Sequence, residues 1–263
     1  MYVHGHHESV LRSHRWRTAE NSAGHLLPHL KPHQSLLDVG CGPGTITADL
    51  ANLVGHVTAL ETSEEVLGLA RGEVTSPNVT FAVGDVHALS FADNTFDVVH
   101  AHQVLQHVAD PVRALREMGR VCRPGGLVAV RDSDYAGFIW YPMLPELDEW
   151  LRLYRAMARR AGGEPDAGRR LLHWARQAGF TDISAGSSTW CYATPQERQF
   201  WGGMWAQRIK NSSIATQALE SGHATQADLD RLSAAWLAWA DDPSAWFSVV
   251  HGELLCVAGP LPT

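Results

Sequence analysis

Between residues 35 and 131 short apolar runs alternate with longer stretches in which apolar residues return every three or four positions. The runs predict strands over Ser35–Val39, His56–Leu60, Val79–Val83, Phe96–His102 and Leu127–Arg131. The stretches between them predict helices over Thr45–Leu53, Ser63–Val74 and Pro111–Cys122. Ser63 suits an N-cap and Pro111 a first helical turn, while Arg123-Pro124-Gly125-Gly126 reads as a turn. Upstream, Ser13–Leu30 has helical spacing, and Pro32 breaks the chain before the first strand. Strands joined by helical segments of this length need crossover connections, which give a mostly parallel sheet with helices on both faces, a doubly wound α/β fold.

Beyond Asp132 the alternation weakens. Glu146–Arg160 and Asp166–Ala178 read as helices, Thr181–Tyr192 as strand, Pro195–Trp239 as further helix and Ala245–Ala258 as a last strand, bringing the sheet to seven. Residues 135–163 and 195–244 are therefore expected as helical cap insertions on one domain spanning 1–263, with 1–34 as an N-terminal lid helix, 35–134 as a ligand-binding core and 245–263 as the C-terminal strand. The formal net charge of -7 argues against a surface that tracks nucleic-acid phosphates. Cys41, Cys122, Cys191 and Cys256 are scattered, without a CxxC pair, which points away from zinc and from a disulfide framework and toward a reduced, cytoplasmic setting. The absence of a signal-like start or a long apolar run predicts no membrane association.

The chemistry begins at Leu36-Leu37-Asp38-Val39-Gly40-Cys41-Gly42-Pro43-Gly44-Thr45, a buried strand entering a glycine turn and then a helix. Glycines let a backbone approach a ligand closely, and ligands of open α/β sheets bind at the carboxyl ends of the strands. Glu61 closes the second strand nineteen positions after Gly42, near the offset of a carboxylate that holds ribose hydroxyls. Asp38 and the Gly84-Asp85-Val86 segment add further acid at the same edge. A carboxylate in the turn would repel a pyrophosphate but attract a sulfonium cofactor bearing an ammonium group, which favours S-adenosylmethionine (SAM) over NAD.

As an ordered set, Asp38–Gly44, Glu61, Gly84-Asp85-Val86, Phe96-Asp97-Val98-Val99 and Arg123–Gly126 resemble the motifs of class I SAM-dependent methyltransferases, in particular the ubiquinone/menaquinone-methyltransferase-like (methyltransferase type 11) group. The resemblance runs from Ser35 to Asp132 and implies a Rossmann-like sheet. It implies Gly40 and Gly42 along the methionyl part of the cofactor with Asp38 close by, Glu61 on the ribose, and Asp85 with Val86 at the adenine. It sets the stretch that follows His100, including His102 and Gln103, toward the sulfonium.

His102 is then a candidate base, and Gln106 lies one helical turn from Gln103, which makes it a candidate substrate contact. Asp132, at the end of the fifth strand, is a second catalytic candidate. Tyr2 and Arg17 are candidate substrate contacts on the N-terminal lid. The His4-Gly5-His6-His7-Glu8 stretch lacks a distant ligand set, so no metal is expected. Arg152, Arg155 and Arg159 read as one solvated helix face, and Trp201, Trp205, Trp236 and Trp239 read as core at helical spacing.

The expected activity is direct displacement of the SAM methyl group by O, N or C of a small, apolar or aromatic metabolite of the natural-product type, in a monomer or homodimer. Two alternatives stay open at this point: a SAM-binding protein without catalysis, and an NAD-dependent oxidoreductase.

Overall fold

The computed structural model describes residues 16–259. These divide into two compact units: a sheet unit of residues 16–133, 167–188 and 251–259, and a helical unit of residues 134–166 and 189–250.

In the sheet unit, β1 (Ser35–Val39) pairs in parallel with β2 (His56–Glu61) and β4 (Phe96–His102); β2 pairs with β3 (Val79–Val83), and β4 with β5 (Cys122–Ser133). Residues 251–257 of β8 (Trp246–Val257) run antiparallel to β5. The order β3-β2-β1-β4-β5-β8 reverses direction between β1 and β4, the position where this topology opens a crevice at the carboxyl edge. Helices α2 (Thr45–Ala51), α3 (Glu64–Glu73) and α4 (Pro111–Val121) supply the crossovers. Neighbouring strand residues alternate between faces: Leu37, Val99 and Val130 pack with Leu115 and Met118 of α4, whereas Leu36, Val98 and Ala129 pack with Ile46 and Leu50 of α2. With both faces covered, the strands carry consecutive apolar pairs such as Leu36-Leu37 and Val98-Val99 rather than a strict apolar-polar alternation.

Ser63 caps α3 by accepting the Val66 N–H, and Asp110 caps α4 ahead of Pro111 by accepting the Arg113 N–H at 2.9 Å. Three local expectations are corrected. The Ser13–Leu30 helix is, within the described residues, a short α1 (Ala19–Ala23) and a separate 3-10 turn at Leu27–His29, because Pro28 has no N–H to continue the ladder. Arg123–Gly126 belongs to β5: Gly125, at φ +79°, donates to the Ala258 carbonyl at 2.7 Å, and the Ala258 N–H returns to the Gly126 carbonyl at 2.8 Å. Asp166–Ala178 is a 3-10 turn at Gly168–Arg170 followed by α6 (Leu171–Ala178). Strand β7 (Ile183–Tyr192) pairs with β8.

The helical unit contains α5 (Pro145–Arg160), α7 (Pro195–Asn211), α8 (Ser213–Glu220) and α9 (Gln226–Asp241). The single helical stretch expected from Pro195 is thus three helices, broken at Ser212 and by Gly222 at φ +68°. Thr194 with Glu197 and Thr225 with Asp228 form capping boxes that start α7 and α9. The short strand β6 (Ile139–Tyr141) pairs with Trp246–Ser248, an eighth strand that its three residues did not announce. Trp150, fully buried, meets Trp205 edge-on at 4.5 Å and Trp236 at 4.8 Å between ring centroids, and Phe247 lies within 5.9 Å of Trp140, Trp201, Trp236 and Trp239. Such pairs add about 0.5–1.5 kcal/mol each beyond burial. Arg155 and Arg159 are more than a solvated face, since they hold the buried Asp166 carboxylate at 2.6 and 2.5 Å.

Candidate functional site

The glycine turn leaves β1 at its carboxyl end with Gly40, Gly42 and Gly44 at φ +68°, +55° and +88°. A Cβ on Gly40 would stand 2.5 Å from Val104 Cγ2, so the turn needs glycine there both for its left-handed backbone and for the close approach of the segment after β4. The Gly40 and Cys41 N–H groups both donate to the Leu60 carbonyl, at 2.8 and 3.0 Å. Glu61, the next residue, accepts the Gly42 N–H at 3.3 Å through Oε2 and the Thr62 N–H and hydroxyl at 2.7 and 3.0 Å through Oε1. Its half-buried carboxylate therefore lies directly against the turn.

Asp38 points inward. Its buried carboxylate accepts the Thr47 hydroxyl at 2.6 Å and meets His100 Nδ1 at 2.8 Å, tying β1 to α2 and β4 beneath the turn. Asp85 is open to solvent and accepts the His87 N–H and ring Nδ1 at 2.9 and 2.7 Å; the backbone bond first, and the ring with it, holds its carboxyl below the ordinary range despite some burial. Val86 is buried with Leu60 and Leu89.

At the end of β4, His102 is buried, and burial first, then the neighbouring Arg17, Arg131, His251 and His100, push its pKa well below the ordinary histidine value. Gln103 is a non-glycine residue at φ +54°. Its N–H donates to the Arg131 carbonyl at 2.7 Å, and its side chain meets Arg17, Ser133 and His251. Gln106 is buried, with its N–H on Asp132 Oδ1 at 3.0 Å, its Oε1 accepting the Ser133 N–H at 3.1 Å and its Nε2 against His107 at 3.0 Å. Asp132 is fully buried; burial pushes its pKa up to about 7 against the opposing bonds from Gln106 and Leu105. Arg17 reaches Gln103 Oε1 at 2.7 Å, whereas Tyr2 lies outside the described residues. The structure thus gathers Asp38, Gly40, Gly42 and Glu61 around the turn, sets Asp85 and Val86 after β3, and joins Arg17, His102, Gln103, Gln106 and Asp132 beyond β4 and β5.

Sequence reasoning missed the polar groups beneath this edge. Buried Arg131 donates through Nε to Glu253 Oε1 at 2.9 Å and to Ser188 at 3.0 Å, and the Ser188 hydroxyl donates to the same carboxylate oxygen. His25 Nδ1 lies 3.9 Å from Glu253, and burial lowers its pKa to about 4. Arg131 directly after the apolar run Leu127–Val130 is the signal that such partners exist.

A methyltransferase domain family matches residues 37–130. An uncharacterized methyltransferase of Schizosaccharomyces pombe is 35% identical over 268 residues, spanning 97% of this chain and 95% of the relative. The chain belongs to the class I SAM-dependent methyltransferases. A demethylmenaquinone methyltransferase of Renibacterium salmoninarum is 34% identical to this methyltransferase over 168 residues, covering 58% of this chain and 69% of the relative. Among solved structures, a Haemonchus contortus phosphoethanolamine N-methyltransferase in complex with phosphomonomethylethanolamine and S-adenosylhomocysteine (SAH) shares the fold at a TM-score of 0.55 and 22% identity, over 87% of this chain and 49% of that one. Membership of that family makes SAM the cofactor of the methyltransferase, and the turn fits it. The approach of Val104 to Gly40 leaves no room for a side chain, and the carboxylate against Gly42 suits a diol and a cation rather than a phosphate.

Proposed function

We propose that the carboxyl edge of the sheet unit holds SAM with Gly40 and Gly42 along the methionyl part, Asp38 fixing the turn from below, Glu61 on the ribose hydroxyls, and Asp85 with the Val86 main chain at the adenine. His102 and Gln103 line the sulfonium side. The contact between Glu61 and the Gly42 N–H carries this reading, because a carboxylate against the glycine turn suits the two ribose hydroxyls of the cofactor. When bound, the cofactor supplies an electrophilic methyl group, and the chain's own groups orient the acceptor and keep water away.

The acceptor is O, N or C of a small, apolar or aromatic metabolite, of the quinol or natural-product type. The Renibacterium relative, named for a quinone precursor, supports this class. Arg17 contacts the acceptor, and Gln106 acts through the Asp132 and Ser133 groups it bonds. Where the acceptor must lose a proton, Asp132 is better matched to neutral pH than His102, whose environment disfavours the imidazolium. The enzyme works on free small molecules as a monomer or homodimer in the cytoplasm, and its net charge of -7 disfavours nucleic acid. No helix among the described residues is long and apolar enough to cross a membrane.

The test incubates the purified enzyme with methyl-labelled SAM and a panel of reduced demethylated quinones, phenols and polar amines. Label transfer to the quinols or phenols, with SAH released, supports the substrate class; transfer confined to the polar amines rejects it.

A further inference from the structure

Among the described residues beyond β4, Gln103 is the one whose main chain is left-handed without being glycine, a strained conformation that persists only where its surroundings impose it. Its side chain shows what imposes it. Arg17 Nη2 is only a donor, so the atom it meets at 2.7 Å is the amide oxygen, Oε1. That orientation leaves the two Nε2 hydrogens to Ser133 Oγ at 2.8 Å and His251 Nε2 at 3.0 Å. The ring of His251 must then offer a bare Nε2 and carry its proton on Nδ1. His251 is fully buried on β8, opposite Ser133 across the antiparallel pairing with β5.

The consequence reaches the cofactor turn through one residue. Val104, which follows Gln103, is the side chain that closes on Gly40. The backbone direction at Gln103 thus sets how Val104 meets the glycine turn. We propose that His251 is a positioning residue of the cofactor site: from the C-terminal strand it fixes the Gln103 amide, which fixes the turn at 103 and the packing of Val104 on Gly40. This inference rests on the placement of Gln103 at the cofactor site. No local motif points to His251, which lies 148 positions from Gln103.

SAH titration calorimetry tests it on the full chain, without knowledge of the methyl acceptor. His251→Asn keeps a polar group but is too short to reach the amide, and SAH affinity is expected to fall roughly tenfold, the scale of one buried hydrogen bond, at unchanged stoichiometry. His251→Gln places an amide oxygen where Nε2 stood and is expected to bind within about twofold of the parent, a rescue that a purely space-filling role would not give. In a Gln103→Ala background, His251→Asn is expected to add nothing, since the two act through one contact. Full additivity of Gln103→Ala and His251→Asn, or parental affinity in His251→Asn, overturns the proposal. Parental affinity in Gln103→Ala removes Gln103 from the cofactor site and the proposal with it, an outcome distinct from additivity.

Discussion

The two units solve the problem of burial in opposite ways. The helical unit is held by rings: Trp150, Trp205, Trp236 and Trp239 are almost wholly buried, with Phe247 among them. The carboxyl edge of the sheet unit instead buries Asp38, His100, His102, Arg131, Asp132 and His251 and satisfies many of their atoms through named partners. Apolar packing is tolerant of chemistry and insensitive to pH, whereas a buried polar network is costly unless its members are paired, and it responds to protonation. The contrast teaches where function lies, because a protein that keeps charges under a sheet edge despite their desolvation cost gains placed donors and acceptors there.

The largest effect is expected in the ring core. Trp150→Ala should destabilise the protein by about 3–5 kcal/mol, read by denaturant unfolding, while protein that remains folded keeps its SAH affinity. A fall in SAH affinity instead would break the division of labour between the units. Next comes Asp132, whose folded pKa of about 7 stands above its ordinary 3.8, so the folded state holds the extra proton between those values. Its stability contribution is complete below pH 3.8 and is lost as pH rises through about 7, about 4 kcal/mol in all. Asp132→Asn should flatten that limb of a stability-against-pH curve.

His25 runs the other way. Its folded pKa of about 4 lies below its ordinary 6.5, so the unfolded chain takes up the proton first. Stability is full above pH 6.5 and falls by about 3 kcal/mol as the pH drops toward 4, a loss that His25→Gln should abolish. At the small end, Met143→Ser in the helical unit, at a side chain 72% exposed, should change stability by no more than about 0.5 kcal/mol. A larger change would mean that Met143 has a partner in solution.

What was legible in the sequence follows from the range of the interactions involved. Leu36-Leu37 and Val98-Val99 announce buried strands by their consecutive apolar residues, and Ser63 and Pro111 announce helix starts through purely local chemistry. The turn at Gly40–Gly44 and its partner Glu61 were readable because a backbone that must be left-handed restricts residue type. The partners of Arg131 were not, since Ser188 and Glu253 come from β7 and β8, far along the chain. Arg123–Gly126 misled because Pro124 and two glycines mark turns more often than strands, and here Ala258, just past β8, bonds to Gly125 and Gly126 regardless. Gln106 was expected to face the acceptor one helical turn after Gln103; its amide is engaged by Ser133 and His107, which no spacing rule reveals.

The central claim is that Glu61 and the glycine turn form the cofactor site, and SAH titration calorimetry on the parent and on Glu61→Ala tests it most directly. The account predicts one SAH per chain in the parent and an affinity about a hundredfold weaker in the variant, the scale of losing two charge-assisted hydrogen bonds, in protein that unfolding shows to be still folded. Equal affinity in a folded Glu61→Ala protein would contradict it.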